Sequence, residues 1–126
     1  MLARPERMVL LALHGDHVDQ HVLSSASGLC KRLDAGLEIL VVSPDNNLHH
    51  ALQQLMKTPD RQTLYWSLSP KPMLRRRDLV DYANAHENIV AVVIDSLERW
   101  DGRAQDRSSN PWQRLRCPLV TATHSE

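Results

Sequence analysis

Three short and mostly apolar runs constrain the fold of this chain more than any other feature. They are MVLLAL (8–13), LEILVV (37–42) and NIVAVVID (88–95), and each has the length of a β-strand. Strands with so few polar positions are typical of the centre of a parallel sheet that is covered on both faces. The runs therefore predict three central strands of an α/β fold.

The segments between these runs have the spacing of helices. Apolar residues recur at helical intervals after the first run, and they predict a helix over about 17–34. Two more helices are expected over 48–57 and 72–86, and a short one is expected to start at Asn110–Pro111. The stripe of the first helix consists of Val18, Val22, Ala26, Leu29 and Leu33.

Two further strands contain polar residues, as strands at the edges of a sheet do. They are expected over 62–69 and 117–123. The complete order βαβαβαβαβ predicts a three-layer, doubly wound parallel sheet of five strands in the order 3-2-1-4-5, formed by one domain over residues 1–126. Such a sheet has its ligand crevice at the carboxyl ends of strands one and four.

Composition narrows the classes of function. Fifteen basic and fifteen acidic residues cancel, so bulk charge gives no support for nucleic acid or an anionic membrane as a partner. No apolar run approaches the roughly 18 residues of a membrane span, so none is expected. Two cysteines, Cys30 and Cys117, do not form a disulfide framework, and a reducing, cytoplasmic setting is the expectation.

Three segments together show a pattern that covers almost the whole chain: LLALHGDHVDQHVLSSASGLCKRLDAGLEILVV (10–42), DLVDYANAHENIVAVVID (78–95) and CPLV (117–120). In these segments the chain resembles the universal stress protein family. It implies an adenine nucleotide alpha hydrolase-like fold, a homodimer paired through the strand at 117–123, and a regulatory role in stress exercised through an unknown protein partner. The non-ATP-binding branch, similar to universal stress protein A, is the better analogue.

The ATP-binding branch of that family has a Gly-x2-Gly-x9-Gly-Ser motif after strand four, and this chain departs from it. Counted from strand four, Asp95 and Glu98 stand at the first two glycines, and Ser108 and Ser109 at the final pair. Counted back from Cys117, the final pair is Gln105 and Asp106, so no glycine of the motif is present in either register. Glycines let backbone N–H groups close around phosphates, whereas two carboxylates repel them. ATP binding in this mode is therefore expected to be lost. The candidate crevice comprises His14, Gly15, Asp16, Val42, Asp95, Ser96, Glu98, Ser108 and Ser109.

Two other functions stay open at this point. Helix N-termini favour anions, so the crevice between strands one and four is also a candidate site for a divergent nucleotide or another small anion. Alternatively, His17 and His21 have the i, i+4 spacing of metal ligands on a helix, and His14 is a candidate third ligand. No cofactor is predicted.

Nothing in the sequence supports catalysis. There is no GxSxG motif and no convincing Cys–His pair, so no catalytic residue is nominated and the chain is predicted not to be an enzyme. Cys30 and Cys117 are expected to be small buried hydrophobic residues. The segment 96–109 is long for a connection after a strand, and it is a candidate for contact with a ligand or partner.

Overall fold

Five strands and three α-helices follow one another in the part of the chain that the structure describes. The structure, a computed structural model, describes residues 5–14, 20–42, 47–57, 64–71, 75–95 and 111–121. A 3₁₀ turn over Pro111–Arg114 precedes the last strand. The elements are β1 (Met8–His14), α1 (Gln20–Leu33), β2 (Gly36–Val42), α2 (Asn47–Met56), β3 (Trp66–Lys71), α3 (Arg76–Ala85), β4 (Ile89–Ile94) and β5 (Leu119–Thr121).

The sheet is parallel throughout, and its order is β3-β2-β1-β4-β5. This confirms the predicted fold class and strand order. The three mostly apolar runs became the central strands, because burial of apolar side chains is favourable at positions that are covered on both faces of the sheet. The two runs with polar residues became the edges.

Two predicted boundaries around the third strand were wrong. The strand was expected over 62–69 and begins at Trp66, because its ladder with β2 starts where the Leu37 N–H donates to the carbonyl of Tyr65. It extends through Pro70, which faces Val41. In a parallel ladder the bonding residues alternate, so Pro70 falls at a position whose N–H would face the free edge.

The third helix was expected from 72, but residues 72–74 lie outside the described residues. Arg75 is extended, and the helix begins at Arg76. Asp78 accounts for this start, because its carboxylate accepts the backbone N–H of Arg75 at 3.1 Å. An acidic side chain in the first turn satisfies one of the unpaired N–H groups there and complements the helix dipole. No side-chain pattern in the sequence had marked Arg75 as the residue before a helix.

The last strand is shorter than predicted. It comprises Leu119–Thr121, and Cys117 and Pro118 lie before it rather than in it. Pro118 has no N–H to donate, but its carbonyl accepts the N–H of Val92 at 3.0 Å and starts the ladder with β4. Residues 122 and 123 of the predicted strand lie outside the described residues.

Among the described residues, no helix is both long enough and apolar enough to cross a membrane.

Side chains of the sheet divide between two sides, which we call the α1 side and the α3 side after the helices that cover them. The α1 side buries Val9, Leu11, Leu13, Val22, Leu23, Ala26, Cys30, Leu37, Ile39, Val41, Leu52, Met56 and Val93. The α3 side buries Met8, Leu10, Ala12, Leu40, Val42, Leu79, Ala83, Ile89, Val92 and Ile94.

Candidate functional site

The predicted crevice corresponds to the carboxyl ends of β1, β2 and β4. His14 ends β1 and pairs with Val42, which ends β2. Asp95 follows β4 directly, one residue after the pair formed by Ala12 and Ile94. The structure therefore places these three candidates at the same end of neighbouring strands, where doubly wound sheets bind their ligands.

The other crevice candidates lie outside the described residues. These are Gly15, Asp16, Ser96, Glu98, Ser108 and Ser109, together with the whole segment 96–109. Their part in a site stays a prediction from the sequence.

Asp95 and Lys71 carry opposite charges at this end of the sheet. Asp95 is half-buried, and Lys71 ends β3 opposite Val42. Three strand spacings of about 4.8 Å separate β3 from β4, which is roughly 14 Å. That distance exceeds the Debye length of about 8 Å at physiological salt, so solvent screens most of the attraction between these two charges.

The metal hypothesis gains no support from the described residues. His21 is exposed in the first turn of α1, and His17 lies outside the part of the chain that the structure describes. Within the described ranges, no group of three or more His, Cys, Asp or Glu residues is arranged to hold a metal ion.

Neither cysteine has the character of a nucleophile. Burial raises the pKa of the Cys30 thiol to about 12, and its Sγ lies 3.4 Å from the carbonyl oxygen of Gly36 as a hydrogen-bond donor. Burial also raises the pKa of the half-buried Cys117, against smaller lowering effects from a backbone hydrogen bond and from Arg116. Reactive cysteines need the opposite shift, because the thiolate is the nucleophile.

A second cavity lies at the opposite, amino end of the sheet, on the α3 side. Its volume is about 360 Å³. The lining residues come from the start of β1, from β2, from the start of β3, and from the last turns of α3. They are Met8, Glu38, Tyr65, Ser67, Tyr82 and His86. Along β2, Glu38 and Val42 are four residues apart, or about 13 Å, so this cavity is separate from the crevice.

Glu38 is the central charged group of this cavity. Its side chain is only 8% exposed, although it lies in the second strand between Leu37 and Ile39. The hydroxyl of Tyr82 in α3 donates a hydrogen bond to Oε2 of Glu38. A carboxylate buried to this extent needs such a donor, because unpaired burial of a charge is costly.

His86 completes the wall beside Tyr82. The two rings stack with their centroids 4.2 Å apart. Nδ1 of His86 lies 2.7 Å from the carbonyl oxygen of Tyr82, which can only accept, so Nδ1 holds the hydrogen. In the neutral ring Nε2 is then an acceptor.

Sequence reasoning missed this cavity. The signal was present, because Glu38 is the only charged residue in the run LEILVV. A central strand rarely buries a charge without a partner. The partner could not be found from the sequence, since Tyr82 lies 44 positions further along.

Comparison with known proteins supports the fold. No protein-family model matches the chain, and no curated protein matches it in sequence. In structure the chain is similar to the universal stress protein from Archaeoglobus fulgidus, with a TM-score of 0.58 over 90% of this chain and 97% of that one. The two are 13% identical, so the likeness shows a shared fold and confirms that part of the resemblance.

Proposed function

We propose that this chain is a universal-stress-protein-like regulatory domain that acts through protein partners, is not an enzyme, and lacks the ATP site of the family's nucleotide-binding branch. The shared fold supports the first part. A cytoplasmic location belongs to the proposal. It is supported by two free cysteines on different sides of the sheet, Cys30 in the α1-side cluster and Cys117 packed against the α3-side cluster.

The observation that carries the loss of ATP binding is the position of Asp95. It follows β4 at the carboxyl end of the sheet, where the resemblance expects the first phosphate-binding glycine. A carboxylate near a triphosphate costs on the order of 1–4 kcal/mol per charge pair at effective dielectrics of 20–80. A micromolar affinity amounts to about 8 kcal/mol, so a few such pairs remove most of it.

Calorimetry with Mg-ATP tests this claim. We expect no saturable heat for the unaltered chain at millimolar nucleotide, and measurable binding when Asp95→Gly and Glu98→Gly together remove both carboxylates and restore the first two glycines of the motif. Asp81→Asn is the matched control, because Asp81 is exposed on α3 and its substitution also removes a negative charge from the chain. Saturable micromolar binding by the unaltered chain would contradict the proposal.

The homodimer is also proposed, and the two edges of the sheet differ in their fitness for it. On β3 the outward position at Pro70 has no N–H, so a second strand cannot pair fully there. On β5 the N–H of Val92 bonds to Pro118, and the register pairs Val92 with Leu119. Because backbone N–H groups alternate in direction along a strand, the N–H of Val120 points towards β4. The N–H groups of Leu119 and Thr121 then point outwards, to the free edge. The open edge of β5 therefore supports pairing between two copies.

The register decides which proline substitution tests the dimer. A proline at Val120 would remove a bond to β4 within one copy. Thr121→Pro removes an outward N–H and leaves the β4 ladder intact. Light scattering at tens of micromolar should give a dimer for the unaltered chain and a monomer for Thr121→Pro. A monomer for the unaltered chain would contradict the proposal.

A further inference from the structure

We propose that the cavity around Glu38 binds a small organic ammonium ion. This site is at the amino end of the sheet and does not depend on the proposed function, which concerns the carboxyl end and the edge of β5. The cavity brings together a buried carboxylate, two tyrosines and a histidine from three different elements or their flanks.

Charge is the first argument. Glu38 is 8% exposed, and its one hydrogen-bond donor in the described part of the chain is the Tyr82 hydroxyl at Oε2. Among the described residues no lysine or arginine forms an ion pair with Glu38, and no basic side chain other than His86 lines the cavity. A buried carboxylate is favourable only when it is paired, so the cavity is suited to a ligand that brings the positive charge.

The walls are the second argument. Tyr65 and Tyr82 line the cavity, and His86 stacks on Tyr82. The faces of aromatic rings carry negative potential, and cages of such rings are a recurrent way to hold quaternary and primary ammonium groups. If Glu38 served only in an ion pair with a Lys or Arg of this chain, no aromatic wall would be needed. The combination of a buried carboxylate and aromatic rings in one cavity therefore indicates a cationic ligand.

Hydrogen-bonding capacity is the third argument. Oε1 of Glu38 has no partner within the described residues. Nδ1 of His86 donates to the Tyr82 carbonyl, which leaves Nε2 as an acceptor when the ring is neutral. Ser67 and Tyr65 add hydroxyls. The cavity thus offers acceptors and a negative charge, which favour a cation and disfavour phosphate. Its volume of about 360 Å³ lies within the range of small-molecule sites.

Choline is the probe, and 3,3-dimethylbutan-1-ol is its control because it has the same shape without the charge. We expect saturable choline binding, measured by NMR titration of the full chain, with shifts at Glu38, Tyr65, Ser67 and His86. The neutral alcohol should bind at least about tenfold more weakly, because it gains neither the Coulomb attraction of the Glu38 carboxylate nor the cation–π attraction.

Glu38→Gln tests the carboxylate without changing its shape, and the amide oxygen can still accept from Tyr82. Loss of the negative charge should weaken choline binding about tenfold or more, whereas Asp81→Asn should leave the affinity for choline unchanged. If Glu38→Gln does not fold, Tyr65→Leu replaces it: Tyr65 lines the cavity, and its loss should weaken choline several-fold. Absence of saturation at tens of millimolar choline would overturn the proposal, as would equal binding of the alcohol.

Discussion

On the α1 side of the sheet, the strands bury almost nothing but aliphatic side chains, whereas the α3 side has a carboxylate in the middle of β2. Ile39 and Glu38 are neighbours in that strand and point to opposite sides. Hydrophobic burial alone explains why Ile39 occupies its position. Glu38 needs a hydrogen-bond donor from the distant helix α3, and it lines a cavity. The comparison indicates that the α1 side contributes mainly to stability, whereas the α3 side also has room for a ligand.

The largest expected effect is on the α1 side. Ile39 is fully buried, so Ile39→Ala removes buried methylene groups and leaves a void. We expect the free energy of unfolding to fall by about 2–5 kcal/mol, measured by urea denaturation. A loss below about 1 kcal/mol would mean that this side tolerates voids, and the contrast between the two sides would fail.

On the α3 side the expected effect is smaller. Tyr82→Phe removes the hydroxyl that donates to Glu38 and leaves a nearly buried carboxylate without that donor. We expect a loss of about 1–2 kcal/mol in the same assay. Adding Glu38→Leu should restore most of it, because an apolar pair removes the unsatisfied charge. If the double variant is less stable than Tyr82→Phe, the Glu38–Tyr82 pair is a net source of stability and the contrast must be revised.

The α1 side has one exception to its apolar character. Ser27 is buried in α1 at 7% exposure, and its hydroxyl has no hydrogen-bond partner in the described part of the chain. Ser27→Ala removes this unsatisfied group and raises helix propensity, so we expect a gain of about 1 kcal/mol. Thermal unfolding measures it, with exposed Ser24→Ala as the control for propensity alone. A loss of stability would show that the Ser27 hydroxyl does have a partner.

The smallest effect at neutral pH concerns the thiols. Burial raises the pKa of Cys30 from 9.0 to about 12, so the folded chain holds this proton more tightly than the unfolded chain. Linkage then predicts no effect below pH 9 and a loss of stability as pH rises from 9 to 12. The pH dependence should be shallower in Cys30→Ala. Equal slopes would contradict the burial of this thiol.

Labelling of the native chain compares the two cysteines directly. Cys117 is half-buried and Cys30 is buried, so a thiol reagent should modify Cys117 first and Cys30 only on unfolding.

How much of this could be predicted from the sequence depends on the range of the interactions. The central strands follow from local apolar runs, and the strand order follows from which runs have polar residues. The predicted bounds of the edge strand β3 were wrong because its start depends on pairing with β2, as the hydrogen bond from the Leu37 N–H to the Tyr65 carbonyl shows. The start of α3 depends on the carboxylate of Asp78, which no repeat or motif marks.

The sites differ in the same way. The position of His14, Val42 and Asp95 at one end of the sheet could be predicted, because parallel strands bring their carboxyl ends together. The cavity at Glu38 could not, because it combines residues from the starts of three strands with the end of α3. The one visible sign was a charge inside an apolar strand, and its meaning depended on a tyrosine in another element.

The central claim is that the carboxyl end of this sheet does not hold ATP in the manner of the family's nucleotide-binding branch. An NMR titration of the full chain with Mg-ATP tests it most directly, because the amides of His14, Val42 and Asp95 report on that end residue by residue. We predict no saturable shifts at these three amides up to millimolar nucleotide. Saturable shifts at all three, with a micromolar midpoint, would contradict the account.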